Sequence, residues 1–428
     1  MKNFIAARFA GRLHYAWIVA ALGFVTLLTV AGIRATPSVL MVPLEQAFGW
    51  SRETISIAIS VGLALFGLMG PFAAAAMQRF GIRNTMLVAL FLISAAMCGS
   101  SLVTTPLGLI LTWGVLAGIG TGTMAMVLAV TIVNRWFDKN RGLVLGLLTA
   151  STATGQLLFL PVLAAVATHA GWKPVVLIVG GVALALIPLV ALLMPERPHD
   201  LGLSRYGSTA PDVDATTTRT NPIVAAFRAL RDASRTGTFW VLFGSFFICG
   251  LSTNGLVGTH LIAFCADFSI PEVQAAGLLA AMGVFDMIGT TASGWLSDRF
   301  DNRTLLFAYY GLRGLSLLYL PYCGFSFYAL GFFALFYGLD WIATVPPTVR
   351  LTTERFGAQQ APLVYGWIGA GHQLGAATAA FGAGALRVAN NRYLEAFVFA
   401  GFACFVAAGM VLMIGRRSAR PPALAPAA

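Results

Sequence analysis

Twelve long apolar stretches constrain this chain more than any other feature. They run over 15–34, 54–77, 85–104, 107–134, 143–168, 174–194, 238–264, 273–297, 304–324, 326–349, 362–387 and 393–415. A helix of about 20 residues crosses a hydrocarbon layer of about 30 Å, and each stretch reaches that length. Lipid offers no water to a bare N–H or C=O, so such segments must satisfy their backbone within helices. With 58% hydrophobic and 10% charged residues, the chain is far too apolar for a soluble domain of 428 residues.

The stretches fall into two related sets. Gln78, Arg79, Phe80 and Arg83 recur 220 residues later as Asp298, Arg299, Phe300 and Arg303, and Gly146 and Gly155 map at the same offset onto Gly366 and Gly375. Six spans restore the starting topology, so the repeats are parallel. The expected fold is therefore an all-α integral membrane protein of twelve transmembrane helices in two six-helix, pseudo-symmetric halves, the plan of a membrane transporter. The expected divisions are 1–195 for the first half, 196–237 for a cytoplasmic linker, 238–415 for the second half and 416–428 for a cytoplasmic tail. Residues 195–237 break the apolar rhythm with Pro195, Pro198, Pro211, a threonine run at 216–218 and six arginines. Within them, Ile223 to Arg235 alternates apolar residues with Arg228, Arg231 and Arg235. That pattern fits either a short amphipathic helix on an anionic leaflet or a solvated linker.

A net charge of +11 raises the question of nucleic acid, and the positions of the 27 basic residues answer it. If both termini are cytoplasmic, 21 of the 27 lie on the cytoplasmic side, and only Arg52, Lys173, Arg387 and Arg392 lie opposite. This is the positive-inside distribution, and it predicts a multi-pass plasma-membrane protein, most simply of a bacterial inner membrane. The basic residues are dispersed and lack interleaved aromatics, so no nucleic-acid partner is expected. Lys2, Arg8 and Arg12 precede a run too long for a signal peptide, which reads as the first membrane helix. All five cysteines, Cys98, Cys249, Cys265, Cys323 and Cys404, sit in apolar stretches without paired spacing. They predict neither a metal site nor a disulfide framework, and no cofactor is expected. Small residues crowd some segments, as in Gly114, Gly118, Gly120 and Gly122, and in Gly366, Gly369, Gly371 and Gly375, which permits close approach of helices that slide or simply pack tightly.

The loop Gln78-Arg79-Phe80-Gly81-Ile82-Arg83 and its partner Gly294 to Arg303 resemble the G-x-x-x-D-R-x-G-R signature of the major facilitator superfamily. In that family an acid at a helix end docks on the positive N-terminus of a neighbouring helix and favours the state closed on the cytoplasmic side. The resemblance makes Gln78, Arg79, Arg83, Asp298, Arg299 and Arg303 the gating motif. The first copy has Gln78 where the acid belongs and Ala74 for the leading glycine, which places the stronger latch on Asp298. Three further stretches are similar to the monocarboxylate porter and oxalate/formate antiporter branch: Trp136-Phe137 with Arg141-Gly142 and Gly146, Arg197 to Leu203, and Val284-Phe285-Asp286-Met287. The branch pairs an Asp with an Arg one turn later on its eighth helix. Here Asp286 is present and position 290 is Thr, so Arg34 or Arg313 would have to supply the cation.

An ionised side chain at mid-membrane costs about 2.5 kcal/mol or more, so each needs a partner or a task. Asp286 and Asp340 are the intramembrane acids. By resemblance Asp286 faces the cavity and is the favoured proton carrier, with a permanently paired structural charge as the alternative. Asp340 and Arg313 lie at similar depth on neighbouring segments and are expected to form a structural ion pair, or one that substrate breaks. Arg34 is the favoured clamp for an anionic substrate, since guanidinium meets carboxylate in bidentate fashion; the alternative is that it snorkels to the interface near Pro37. His260 and His372 interrupt apolar helices, as proton relays or as cross-helix hydrogen bonders. Asn254, Gln156, Thr290, Tyr365, His372 and Gln373 are candidate substrate contacts beside Arg34, and Asp340 and His260 join Asp286 as candidates for proton coupling. Pro346 and Pro347 bend the tenth segment as a gate or as a loop entry.

The expected function is a secondary active transporter that couples a small, monocarboxylate-like organic anion to protons by alternating access. An exporter of apolar or cationic compounds by proton antiport is the alternative, with Phe243, Phe246 and Phe247 as an aromatic wall. A sensor that binds without transporting is a third possibility. No nucleophile motif or ligand-spaced cluster points to an enzyme. The expected partners are substrate, proton and lipid bilayer, and nothing in the chain requires an oligomer.

Overall fold

A computed structural model describes residues 14–208 and 222–415. The expectations for Lys2, Arg8 and Arg12, for Pro211 and the threonine run, and for the tail 416–428 lie outside the described residues, as does the side chain of Gln156. The chain is a bundle of helices. The first half comprises α1 (Tyr15–Phe48), α2 (Arg52–Arg79), α3 (Ile82–Ser100), α4 (Pro106–Trp136), α5 (Arg141–Ala170) and α6 (Trp172–Leu193). A short surface helix α7 (Pro222–Ala233) precedes α8 (Gly237–Asp267), α9 (Glu272–Ser297), α10 (Asn302–Tyr319), α11 (Tyr328–Gly357), α12 (358–390) and α13 (Leu394–Leu412). Ten of these are apolar and long enough to span a membrane on composition alone. The two spans outside that set, α10 and α12, are diluted by Arg313 and by a Gly- and Ala-rich stretch carrying His372 and Gln373.

Lipid is the solvent that the exterior anticipates. Val88, Phe91, Phe399 and Phe402 are each more than half exposed, which in water would be an aggregation surface. Hydroxyls inside the spans satisfy themselves locally: Thr26, Thr29 and Thr36 each donate to the carbonyl four residues back on α1.

Three boundaries differ from the sequence expectation. Helix α1 does not stop near residue 34 but runs through Pro37 and Pro43 to Phe48, where Gly49 (φ 66°) closes it in the left-handed region. The stretch between the tenth and eleventh segments is not a long loop: the chain stays helical except at Gly357 (φ 77°, ψ 154°), a conformation that glycine adopts without strain. Two spans are broken at matching depths in the two halves. Helix α4 interrupts at Met124 and Ala125, the latter extended (ψ −151°), and α11 unwinds into turns over 341–344 before Pro346 and Pro347 open its second part. Prolines suit a helix's first turn, where their missing N–H has no partner to lose.

Within the first half α1 packs on α5 and α3 on α6; within the second, α8 packs on α12 and α10 on α13. The halves meet where α2 lies along α12, α5 along α9 and α1 against the last turns of α8. Helix α7 buries Ala226, Ala229 and Ala233 while Arg228, Arg231 and Arg235 stay exposed, and Trp367 Nε1 donates to the Ala226 carbonyl at 2.9 Å. The amphipathic pattern of this stretch thus forms a helix, seated on α2 and α12.

Candidate functional site

A small cavity of about 60 Å³ lies between the two halves. Arg34 and Ser38 on α1, Thr152 on α5, Asn254 and Thr259 on α8 and Trp341 on α11 supply its polar and aromatic lining. Ile59 and Leu63 on α2, Leu160 on α5 and Leu279 on α9 complete it with apolar surface. Because α1 extends to Phe48, Arg34 sits mid-helix rather than near an end. Its guanidinium carbon lies 4.0 Å from the centroid of the Phe66 ring. Stacking on an aromatic face holds a guanidinium without using its N–H edges. Among the described residues no carboxylate lies within ion-pair distance of Arg34.

The second buried cation is fully engaged. Arg313 Nε donates to Asp340 Oδ2 at 2.7 Å, Nη1 to Cys249 Sγ at 2.8 Å, and Nη2 to the carbonyls of Asp340 at 2.5 Å and Trp341 at 3.2 Å. The Arg313–Asp340 pair read from the sequence is thus present, and it also holds two carbonyls at the break in α11. Two more groups hold that break. Ser293 donates to the Ala343 carbonyl at 2.5 Å, and Asp286 Oδ1 accepts from the Ile342 N–H at 2.8 Å and from Thr290 Oγ1 at 2.9 Å. Contrary to the sequence expectation, Asp286 does not line the cavity; it bonds the N–H of Ile342, the residue that follows Trp341, which does. Unwound backbone is tolerated at membrane depth only when neighbouring groups satisfy it, and these three side chains do so.

Of the sequence candidates for substrate contact, Arg34 and Asn254 meet at the cavity. Thr290 is spent on Asp286, and Tyr365 and His372 pack against Phe246 at centroid distances of 5.9 and 4.9 Å. Gln373 lies on the α2–α12 seam, where its side chain fills the space left by Gly67. The residues of the supposed aromatic wall do not line the cavity: Phe243 packs on Phe239 and Trp240, and Phe247 belongs to the packed interior. His260 is buried away from the cavity lining, with Nε2 2.8 Å from the Ala380 carbonyl and Nδ1 3.1 Å from the Tyr393 hydroxyl. A carbonyl can only accept, so Nε2 carries a proton, and in the neutral ring Nδ1 is left to accept from Tyr393.

The gating motif divides by half. In the second, Asp298 pairs with Arg350 on α11, Asp301 caps α10 at the Arg303 N–H, and Arg303 Nη1 donates to the Ile414 carbonyl at 2.8 Å. Arg299 lies over the Trp295 ring at 4.0 Å, as Arg79 lies near Phe80 at 5.5 Å. In the first half the acid that Gln78 lacks comes from elsewhere. Glu196, just past α6, accepts from the N–H groups of Ile82 at 2.6 Å and Arg83 at 3.0 Å, so its carboxylate sits on the N-terminus of α3. By sequence Glu196 falls at the start of the linker, and no local signal connects it to a helix 113 residues earlier. Arg52, by sequence one of four basic residues opposite the cytoplasmic side, is buried in an ionic cluster with Glu45 and Asp267.

Comparison with known proteins accords with this architecture. The family profile described as Major Facilitator Superfamily matches residues 22–380. An uncharacterized MFS-type transporter, YcxA, of Bacillus subtilis (strain 168) is 29% identical over 346 residues, covering 79% of this chain and 80% of the relative. Monocarboxylate transporter 13 of Rattus norvegicus is 25% identical over 405 residues, covering 94% and 88%. Among solved structures, a D-xylose-proton symporter superposes with a TM-score of 0.71 at 14% identity, covering 94% of this chain and 98% of that one. A bacterial homolog of the human lysosomal transporter Spinster, captured inward-facing and unoccupied, gives 0.69 at 14% identity, covering 94% and 96%. Two helical halves, broken α4 and α11, a cavity between them and a family match across most of the chain lead to one assignment: this protein is a membrane transporter of the Major Facilitator Superfamily.

Proposed function

We propose that the chain carries a small, monocarboxylate-like organic anion across the plasma membrane in company with protons. The observation that carries this reading is Arg34, a cation in the cavity between the halves whose N–H edges have no carboxylate partner among the described residues. A guanidinium at mid-membrane is costly without a counter-charge, and an anionic substrate supplies it. The lining offers one cation and otherwise uncharged polar and apolar groups, which fits a monoanion of modest size. Relatives named as monocarboxylate transporters at 25% identity support the same class.

In this reading Asp286 carries the coupling proton, held beside the cavity wall through its bond to the Ile342 N–H, while Asp340 stays paired with Arg313. Residues 1–195 and 238–415 rock about the cavity, 196–237 links them, and both termini with the basic loops face the cytoplasm of a bacterial cell, the chain lying in its inner membrane. Binding of anion and proton leaves the cavity near neutral, so reorientation exposes little unpaired charge to lipid. The test is proton flux in proteoliposomes as mono- and dicarboxylates are added one by one. A monocarboxylate should drive co-transport of protons, Arg34→Gln should lower the apparent affinity or the rate at least about tenfold through loss of a charge-assisted bond, and Asp286→Asn should abolish accumulation. Flux that ignores every carboxylate and responds to lipophilic cations would refute the anion reading and favour the exporter.

A further inference from the structure

Helix α7 belongs to neither half, and its sides differ in chemistry. Ala226, Ala229 and Ala233 form the buried side; Ala229 and Ala233 share an apolar cluster with Val364 and Ile368 on α12 and Phe239 on α8. At about 100° per residue, Arg228, Arg231 and Arg235 fall within about 60° of one another on the opposite side, and all three are exposed. Among the described residues no carboxylate pairs with any of them. Val224 and Phe227, both about half exposed, lie among and beside these arginines, while Asp232, the one acid of the helix, borders their other edge. Two tryptophans fix the level of α7. Trp367 Nε1 holds the Ala226 carbonyl and its ring meets that of Phe227 at 5.4 Å, and Trp240 Nε1, at the start of α8, donates to the Ser234 carbonyl at 2.7 Å. Trp240, like Trp295 at the end of α9, is half exposed. Tryptophans in such positions at the ends of spans settle at the head-group level, so α7 lies at that level rather than out in the aqueous phase.

We propose that α7 is a binding site for anionic phospholipid head groups in the adjoining leaflet: Arg228, Arg231 and Arg235 take the phosphates while Phe227 and Val224 enter the acyl boundary. A helix of 12 residues is marginal in water, and the side that α7 buries is made of alanines, whose burial contributes little. The leaflet supplies what the protein does not. It covers Phe227 and Val224, and its negative potential attracts each arginine. The two edges set the tilt, with Phe227 toward the acyl region and Asp232 toward water. The helix dipole accounts for less, because Arg231 and Arg235 stand at the C-terminal end of α7 and Arg228 does not. A purely solvated linker would have no use for exposed apolar residues among its arginines. Since α7 rests on α2 of the first half and α12 of the second, a head group bound here sits against the seam. Lipid binding at α7 is independent of which substrate is carried and of what Arg34 holds.

The experiment uses the full-length protein in nanodiscs of phosphatidylcholine with a minority of phosphatidylglycerol. Cys98 and Cys323 are replaced by serine, and Ser234→Cys carries a fluorophore beside the arginines. Bromine atoms, which quench on contact, are placed on the acyl chains of one lipid or of the other. Brominated phosphatidylglycerol should quench several-fold more per molecule than brominated phosphatidylcholine, since each arginine at an anionic surface favours charged over neutral lipid by about fivefold. Arg228→Gln, Arg231→Gln and Arg235→Gln together should bring the two lipids to equality. Arg228→Lys, Arg231→Lys and Arg235→Lys together keep the charge and should keep most of the preference. Salt at about 1 M, where the Debye length is about 3 Å, should erase the preference in the protein with its arginines intact, so the outcome does not depend on a variant that folds poorly. Equal quenching by both lipids in the parent, quenching by neither, or a preference that survives the triple Arg→Gln change overturns the proposal. So does loss of the preference on adding soluble glycerol phosphate, which would assign the arginines to a free phosphate compound.

Discussion

Replacing Asp340 by Asn should cost this protein more stability than any comparably small change elsewhere. Arg313 is fully buried and its pair with Asp340 closes at 2.7 Å with both side chains nearly dry. Breaking such a pair from one side costs about 3–5 kcal/mol, because the surviving charge keeps its desolvation and loses its partner. For a unit the size of one six-helix half, that predicts a fall in Tm on the order of 10 °C. Arg313→Met should be at least as severe, since it also strips donors from the carbonyls of Asp340 and Trp341 at the break in α11. The double variant Arg313→Met with Asp340→Leu removes both charges and should recover part of the loss. It should remain about 2 kcal/mol below the parent, because the two carbonyls still lack their donor. Thermal unfolding in detergent, followed by tryptophan fluorescence, measures all three. Strictly additive single effects, or an Asp340→Asn protein melting with the parent, would refute the structural reading. A variant that melts normally yet no longer accumulates substrate would move the pair into the transport cycle.

Three smaller perturbations separate the remaining roles. Phe66→Leu removes the ring under Arg34 and should raise the apparent KM several-fold with little change in maximal rate, about 0.5–2 kcal/mol of positioning; an unchanged KM in uptake assays would show that the ring does not hold the guanidinium. Glu196→Gln should lower Tm by a few degrees, about 1 kcal/mol of helix-end stabilisation, while KM stays put; a shift in KM without a shift in Tm would contradict its assignment to the α3 terminus. Gly384→Leu wedges the seam between α12 and α2 against Ser56. It should lower the transport rate in proteoliposomes with little loss of folded yield, whereas Gly250→Ala, which collides with the His372 backbone inside the second half, should reduce the folded yield measured by size-exclusion chromatography.

Hydropathy makes the bundle legible because it is a local property of consecutive residues. The Arg313–Asp340 pair was legible for a related reason: opposite charges at equal depth on adjacent spans have few other places to go. Hydropathy ends α1 at residue 34, yet the helix continues through Pro37 and Pro43, because in a membrane bundle neighbouring helices tolerate prolines that would end a helix in water. The break in α11 announced only its prolines; the side chains that satisfy its backbone, Asp286, Ser293 and Arg313, come from two other helices. Arg52 and Glu196 were misplaced because their partners lie 215 and 113 residues away, across contacts that depend on how whole helices face each other.

These buried charges differ in whether the transport cycle has to disturb them, and that difference follows from which half holds each partner. A pair inside one six-helix unit, as Arg313 with Asp340, moves as a rigid body and can stay closed throughout. A pair across the seam, as Arg52 with Asp267, joins two units that alternating access would move apart, and Glu45 and Arg387 stand beside it as partners within each unit. Arg34 belongs to neither class: it faces the seam, has no carboxylate within ion-pair distance among the described residues, and in the proposed reading takes its counter-charge from solution. A carrier built this way resists crossing the membrane empty, since Arg34 would cross unpaired. Proteoliposomes should therefore exchange labelled anion across the membrane faster than they release it into anion-free buffer. Equal rates would mean that Arg34 is neutralised within the protein during the return step.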